Sequence, residues 1–218
     1  MQFIENKHLI KLLLKRTDLY RRRAVSLPQR PRRKRVMLTV GDTLPEFSVT
    51  GVKPGFNAHE ENGESAFFEI NQNSFENKWK LIYFYPKDFT FVCPTEIVGF
   101  DKLVGEFADR DCVVLGGSTD NEFCKLAWRR EHPDLANMKQ YAFADTKGDL
   151  VDGLGVREKD AGVALRATFL VDPNNVIQHA SVNNLNVGRN PDEILRLLDG
   201  FQTDELCPCN RPAGGAVL

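Results

Sequence analysis

Short apolar runs alternate with helix signals through the middle of this chain, and this alternation limits the fold more than any other feature. Five runs are rich in β-branched or aromatic residues and end at turn residues: KLIYFYP (80–86), DCVVLGGS (111–118), YAFAD (141–145), RATFLVDP (166–173) and NVIQHASV (175–182). Residues 94–107, and residues 122–131 after a predicted cap at Asp120, have helical spacing. A sheet covered by helices buries both kinds of element, so we predict an α/β fold.

Turn and cap residues refine this prediction. The DPNN stretch (172–175) joins two strand runs as a hairpin, which makes the predicted central sheet mixed. Asn190 as N-cap, Pro191 in the first turn and Gly200 as the stop predict a last helix. Residues 51–66 are polar and contain glycine, so we expect a surface loop there.

Charge separates the first 36 residues from the rest of the chain. Residues 1–36 carry twelve Lys or Arg but only two acids, although the whole chain has a net charge of −1. The remainder is therefore acidic, which argues against nucleic-acid binding by the domain itself. HLIKLLLKR (8–16) is interrupted by lysine and no small-residue cleavage site follows it, so we favour a poorly ordered leader over a transit peptide or an export signal.

The remaining residues divide into a domain and an arm. We predict one globular domain over residues 37–200 and a mobile C-terminal arm over 201–218, because the arm lacks periodicity and contains several prolines and glycines. No apolar run approaches the roughly 18 to 20 residues of a membrane-spanning helix, so no membrane association is expected.

The chain has five cysteines, and their number and positions favour reduced or catalytic thiols. An odd count without an export signal indicates a cytosolic protein rather than a disulfide scaffold. Cys112 and Cys124 fall in a predicted strand and a predicted helix, where free cysteine usually packs. The four histidines are scattered without ligand spacing, so no metal site is predicted.

Cys93 lies where an apolar run gives way to a predicted helix. Pro94 suits a first helical turn, which puts Cys93 at or next to the N-cap, where unpaired N–H groups favour a thiolate. A small buried core residue is the alternative. Thr90 is placed to hydrogen-bond the sulfur or only the local backbone, and Pro86 to shield the pocket. Glu96 occupies the position that a C-x-x-C motif would give to cysteine, so a partner sulfur must come from elsewhere in the sequence.

Three ordered segments resemble the peroxiredoxin family. FYPKDFTFVCPTE resembles the family's peroxidatic motif Pro-x-x-x-Thr-x-x-Cys, which Pro86, Thr90 and Cys93 match. RATFLVDP is similar to the strand that carries the family's active-site arginine, here Arg166. DELCPCN is similar to the resolving arm of typical two-cysteine members of the alkyl hydroperoxide reductase type, and its C-x-C resembles actinobacterial ones. The resemblance spans residues 37–210.

The resemblance implies a thioredoxin-like fold and a chemistry without metal, haem or flavin. In the family, the peroxidatic cysteine, here Cys93, reduces hydrogen peroxide or organic hydroperoxides and becomes a sulfenic acid. Cys207 matches the resolving cysteine, which forms a disulfide with it across subunits. Cys209 is then a second resolving or relay thiol, or a spare exposed thiol. Thr90 and Arg166 match residues that stabilise the reacting oxygens, and Glu96 is a supporting residue.

The resemblance also implies partners and a location. A thiol reductant is expected, either thioredoxin, a flavoprotein reductase or a thioredoxin-like adapter. The family forms antiparallel homodimers that often close into rings of five or six dimers, and we expect a cytoplasmic protein. Two other functions stay open: a general thiol–disulfide oxidoreductase that uses Cys207 and Cys209, and a holdase chaperone.

Overall fold

A computed structural model describes residues 36–218, so the predicted basic extension lies outside the described residues apart from Val36. The strands of this part are β1 (Ser48–Val52), β2 (Glu60–Glu61), β3 (Glu64–Ser65), β4 (Phe67–Asn71), β5 (Trp79–Phe84), β6 (Cys112–Ser118), β7 (Tyr141–Ala144), β8 (Arg166–Val171) and β9 (Ile177–Asn183). Its α-helices are α1 (Cys93–Lys102), α2 (Val104–Ala108), α3 (Glu122–Glu131), α4 (Asp149–Gly153) and α5 (Pro191–Gln202), and a 3-10 turn spans Pro133–Leu135.

Seven strands form one sheet in the order β4-β1-β7-β6-β5-β8-β9. The β5–β6 and β6–β7 pairs are parallel and the other pairs are antiparallel, so the predicted mixed sheet is confirmed. The predicted hairpin joins β8 to β9, and the Asp172 carboxylate accepts hydrogen bonds from the amides of Asn174 (2.8 Å) and Val176 (2.9 Å) in its turn.

The central strands β5, β6 and β8 are buried on both faces, which explains why they are nearly continuous apolar runs. Along β5, Leu81 and Tyr83 join one core cluster while Ile82 and Phe84 join the other. Successive strand side chains point to opposite faces, so a strand covered on both sides needs apolar residues at every position. The start of α1 belongs to the cluster that contains Leu81.

None of the helices in residues 36–218 is long and apolar enough to cross a bilayer.

The loop predicted over residues 51–66 was partly wrong. Gly51 and Val52 complete β1, and β2 pairs with β3 in a small hairpin. Its turn residues Asn62 and Gly63 both have positive φ, 55° and 79°, as a type I′ hairpin turn requires. The Asn-Gly pair is a strong hairpin signal, so this element was readable from the sequence.

Three helix boundaries also differ from the predictions. The helix predicted over residues 94–107 divides at Leu103, whose ψ of 2° interrupts the helical backbone. Asn121 rather than Asp120 caps α3, with its side chain accepting from the Cys124 amide at 2.8 Å. Helix α5 begins as predicted at the Asn190 cap but continues past Gly200 to Gln202.

Candidate active site

Cys93 is the first residue of α1 and is almost completely buried, with 1% of its surface exposed. It follows the Cys93 loop, which we define as residues 85–92 between β5 and α1. Pro94 lies in the first turn, and no side chain caps this end of the helix. Pro94 has no N–H and the Thr95 amide donates to the Val92 carbonyl at 3.1 Å, so the favourable feature for an anion at Cys93 is the positive end of the helix dipole.

Arg166, the first residue of β8, places its guanidinium beside the sulfur. Its Nη1 lies 3.6 Å from Cys93 Sγ, and its Nε donates to the Leu185 carbonyl at 2.7 Å. The same Nη1 makes a buried ion pair with Glu96 Oε2. Strand β8 and helix α1 thus hold a guanidinium in fixed orientation beside the thiol.

Glu96 bridges Arg166 to a second arginine, Arg189, which no sequence motif indicated. Glu96 Oε1 accepts from Arg189 Nε at 2.8 Å and from its backbone amide at 3.2 Å. The Nη1 of Arg189 donates to the carbonyls of Phe84 and Ala167 at 2.7 and 2.8 Å. Arg189 precedes the α5 cap in an irregular segment, and no local pattern distinguishes it from a surface arginine.

This cluster carries an excess of buried positive charge next to Cys93. Two guanidiniums, those of Arg166 and Arg189, oppose one carboxylate, and all three side chains are at most 4% exposed. An unbalanced buried cation is costly unless an anion lies nearby. A Cys93 thiolate, or a negatively charged oxygen beside it, supplies that anion, so the arrangement suits a nucleophilic thiolate.

Pro86 and Thr90 lie in the Cys93 loop, where the structure leaves them in different situations. Pro86 is buried, as a residue that shields the pocket should be. Thr90 is partly exposed, and its hydroxyl donates to the Lys87 carbonyl at 3.1 Å. This local backbone bond is the second of the two roles considered for Thr90. In this conformation the hydroxyl proton is used by the Lys87 carbonyl.

Cys207 and Cys209 lie on the C-terminal arm, and both are exposed free thiols. Cys207 Sγ lies 3.6 Å from Thr203 Oγ1 and 3.8 Å from the Gly200 carbonyl, at the C-terminal end of α5. Cys93, by contrast, is a buried free thiol beside Arg166. Within the described chain the two predicted reaction partners therefore have different surroundings.

Cys112 and Cys124 have surroundings that disfavour a thiolate. Burial raises the pKa of Cys112 to about 12. Burial, together with the nearby Asp88 and Asp120 carboxylates, raises the pKa of Cys124 to about 11. Because the thiolate is the reactive form, neither residue is favoured as a nucleophile at neutral pH.

Arg211 attaches the C-terminal arm to α5. It is buried, and its Nη1 donates to Asp199 Oδ2 at 2.8 Å, the same oxygen that accepts from the Gly214 amide at 2.8 Å. Asp199 Oδ1 accepts from Arg110 Nε at 3.2 Å. Burial alone would raise the pKa of Asp199, but the hydrogen bonds from Gly214, Arg211 and Arg110 hold that pKa below its ordinary value.

We expect Arg211→Met to loosen the arm, because Asp199 then retains only the Gly214 and Arg110 bonds. Hydrogen exchange at Gly214, followed by mass spectrometry, should become several-fold faster after correction for the intrinsic rate. Arg130→Met, at an exposed arginine of α3, is the control. In the unmodified protein the pKa of Asp199 is lowered, so the stability that its ionised carboxylate gives to the folded arm is complete above about pH 4. This stability is lost as the pH falls further. Equal exchange in both variants would contradict this attachment.

The chain resembles a well-populated group of known proteins. The AhpC/TSA family profile matches residues 40–180. Alkyl hydroperoxide reductase C of Mycolicibacterium smegmatis is 48% identical over 184 residues, which cover 84% of this chain and 94% of that protein. Peroxiredoxin tpx1 of Schizosaccharomyces pombe is 41% identical over 188 residues, covering 83% and 93%.

Solved structures show the same likeness in three dimensions. Mycobacterium tuberculosis AhpC superposes with a TM-score of 0.73 at 45% identity, covering 79% of this chain and 97% of that one. The reduced 2-Cys peroxiredoxin of Plasmodium vivax also gives a TM-score of 0.73, at 36% identity, covering 83% and 92%. The sheet and the helices that place Cys93, Glu96 and Arg166 lie within the fold these proteins share.

Proposed function

This chain belongs to the AhpC/TSA family and has its thioredoxin-like fold, and from this premise we propose that it is a thiol peroxidase acting through Cys93. Its substrates are hydrogen peroxide and small organic hydroperoxides. The observation that carries the proposal is the 3.6 Å contact between Cys93 Sγ and Arg166 Nη1 at the start of α1. This contact places a nucleophile and a cation for the departing oxygen in one buried site.

The first step transfers one oxygen to sulfur. The Cys93 thiolate attacks the terminal oxygen of the peroxide, a sulfur–oxygen bond forms, and the oxygen–oxygen bond breaks. The departing oxygen takes the bonding electrons and then a proton, leaving as water or an alcohol, while Cys93 becomes a sulfenic acid. Arg166 stabilises the negative charge that develops on the two oxygens. Glu96 fixes the orientation of Arg166 through the buried ion pair.

The second step uses a thiol of the C-terminal arm. The Cys207 thiolate attacks the sulfenic sulfur, water leaves, and a disulfide forms. Cys207 is exposed at the end of α5 and separate from Cys93, which favours a Cys207 that comes from a partner subunit. Cys209, two residues further along the arm, is placed to receive that disulfide and pass it to the reductant.

The β9 edge of the sheet supports the dimer in this proposal. Within residues 36–218, strand β9 is the last strand of the seven-stranded sheet, and six of its seven residues are partly exposed. An unpaired edge of this length pairs readily with another strand, and β9 of a second copy offers an antiparallel partner. We propose a homodimer through this edge, assembling into a ring of five or six dimers. The proposed location is the cytoplasm, and a thioredoxin, a flavoprotein reductase or a thioredoxin-like adapter regenerates the thiols.

Mass spectrometry of the peroxide-treated protein tests this function. We expect the reduced protein to consume hydrogen peroxide with dithiothreitol as electron donor. One equivalent of peroxide should then give a non-reduced dimer containing a Cys93–Cys207 peptide, with mixed isotope-labelled subunits showing that the bond joins two chains. A disulfide confined to Cys207 and Cys209, without peroxide consumption, would instead support a general thiol–disulfide oxidoreductase.

A further inference from the structure

A buried polar cluster lies beneath the Cys93 loop and belongs to neither of the two steps above. Lys125 of α3 is only 2% exposed, and its Nζ donates to Ser118 Oγ at 2.8 Å and to the Tyr85 hydroxyl at 3.2 Å. It also pairs with Asp88 Oδ1 at 3.3 Å. Burying a lysine so completely is costly, and these partners offset the cost.

Asp88 fixes the loop through both its side chain and its backbone. The carboxylate accepts from Lys125 Nζ, and the Ser118 hydroxyl lies 3.3 Å from Asp88 Oδ1. The Asp88 amide donates to Asp120 Oδ2 at 2.8 Å, and the same oxygen accepts from Ser118 Oγ at 3.0 Å. Two residues of the loop, Tyr85 and Asp88, are therefore bonded to the end of β6 and to α3. We call the five bonded residues the loop anchor: Tyr85, Asp88, Ser118, Asp120 and Lys125.

Phe89, the next residue, shows that the loop is held in an unfavourable shape. Its φ is 55°, in the left-handed region that residues with a side chain seldom adopt. Half of its side chain is exposed. Its ring stacks on Trp128 of α3, with centroids 5.7 Å apart. Such a conformation persists only where the surroundings over-determine it. Helix α3 supplies both restraints, Lys125 on Asp88 and Trp128 on Phe89.

We propose that Lys125 is a positioning residue for the peroxidase reaction: through Asp88 it holds the Cys93 loop closed over the thiol. The closed loop keeps Cys93 buried and sets where a peroxide meets the sulfur and Arg166. When the anchor breaks, Cys93 stays at the start of α1 but becomes accessible, and the geometry around the peroxide is lost. This inference rests on the proposed function for its reaction, although the closure of the loop is measurable without it.

Lys125→Met in the full chain tests the inference with two rates. The rate constant for the reduced enzyme with hydrogen peroxide, measured by competition with a haem peroxidase, should fall about tenfold. The rate of Cys93 alkylation by iodoacetamide, followed by mass spectrometry, should rise at least about threefold, because the thiol becomes exposed. A residue that only stabilises the fold would not move the two rates in opposite directions.

Arg129→Met is the matched control. Arg129 lies on the same helix and is equally buried, but its guanidinium donates to the carbonyls of Lys53 and Gln140, outside the loop. The measured quantity is the ratio of the peroxide rate to the alkylation rate of Cys93. The loss of Arg129 should leave this ratio within about twofold of its value in the unmodified protein. Asp88→Asn should shift the ratio in the same direction as Lys125→Met, and combining the two changes should add less than about threefold, because both remove the same contact. Ser118→Ala, a milder change, should shift the ratio about threefold. If Lys125→Met does not fold, the shift in Ser118→Ala tests the positioning role instead.

The outcomes separate the two proposals. A Lys125→Met ratio within twofold of the unmodified value, or an equal shift in Arg129→Met, overturns the positioning role. If the unmodified protein consumes no peroxide, the proposed function fails. The alkylation rates then decide the inference alone: faster alkylation in Lys125→Met but not in Arg129→Met supports loop closure, and equal rates overturn it.

Discussion

Replacing Cys93 by serine should reduce peroxide consumption by at least about three orders of magnitude. A serine hydroxyl is not ionised at neutral pH, and the cation at 3.6 Å then lies beside a poor nucleophile. Steady-state consumption of hydrogen peroxide and of an organic hydroperoxide, with dithiothreitol as donor, measures the loss. Cys112→Ser is the matched control, because Cys112 is also buried and free, and burial keeps it a thiol.

The same variant separates the other two functions from the peroxidase. If Cys93→Ser retains thiol–disulfide exchange through Cys207 and Cys209 and the unmodified protein has no peroxidase activity, the chain is a general oxidoreductase. If client proteins are protected from aggregation equally with and without Cys93, and again no peroxide is consumed, the chain is a holdase. We expect instead that all peroxide reduction depends on Cys93.

Replacing Arg166 by methionine should lower the rate constant with hydrogen peroxide by about 10²- to 10³-fold, the usual cost of losing a donor to a developing oxyanion. The change removes the guanidinium that contacts Cys93 and leaves Glu96 paired with Arg189 alone. The excess positive charge of the site disappears with it. Competition kinetics with a haem peroxidase measures the rate.

Arg166 can favour the Cys93 thiolate, and it can stabilise the charge that develops on the peroxide oxygens. Alkylation by iodoacetamide distinguishes these two effects. That reaction needs the thiolate but develops no charge on an oxygen, so its rate in Arg166→Met should fall less than the peroxide rate. Arg129→Met, which removes another buried arginine, should change both rates by less than about threefold. Equal losses in the two reactions of Arg166→Met would show that the arginine acts only by favouring the thiolate.

Several features of this chain could be predicted because they depend on neighbours in sequence. Pro94 follows Cys93 directly, and the first turn of α1 forms there because proline suits that position. The Asn190 cap and the turn at Asp172–Asn175 are equally local, since each is closed by hydrogen bonds within four residues. The hairpin around Asn62 and Gly63 was also local, and its Asn-Gly signal was overlooked within a polar stretch.

The sequence by itself thus determined a mixed α/β sheet, a helix that begins at Cys93, and the absence of a second cysteine at position 96. The residue pattern alone did not determine what surrounds the thiol, and only the family resemblance brought Arg166 and Glu96 to it. Arg166 and Arg189 lie 70 and 93 residues from Glu96 in sequence, and Lys125 lies 37 residues from Asp88. Those groups meet only because β5 lies between β6 and β8 in the sheet. Strand order depends on the packing of the whole core, and no local pattern encodes it, so only the tertiary structure decided the charge of the site and the anchoring of its loop.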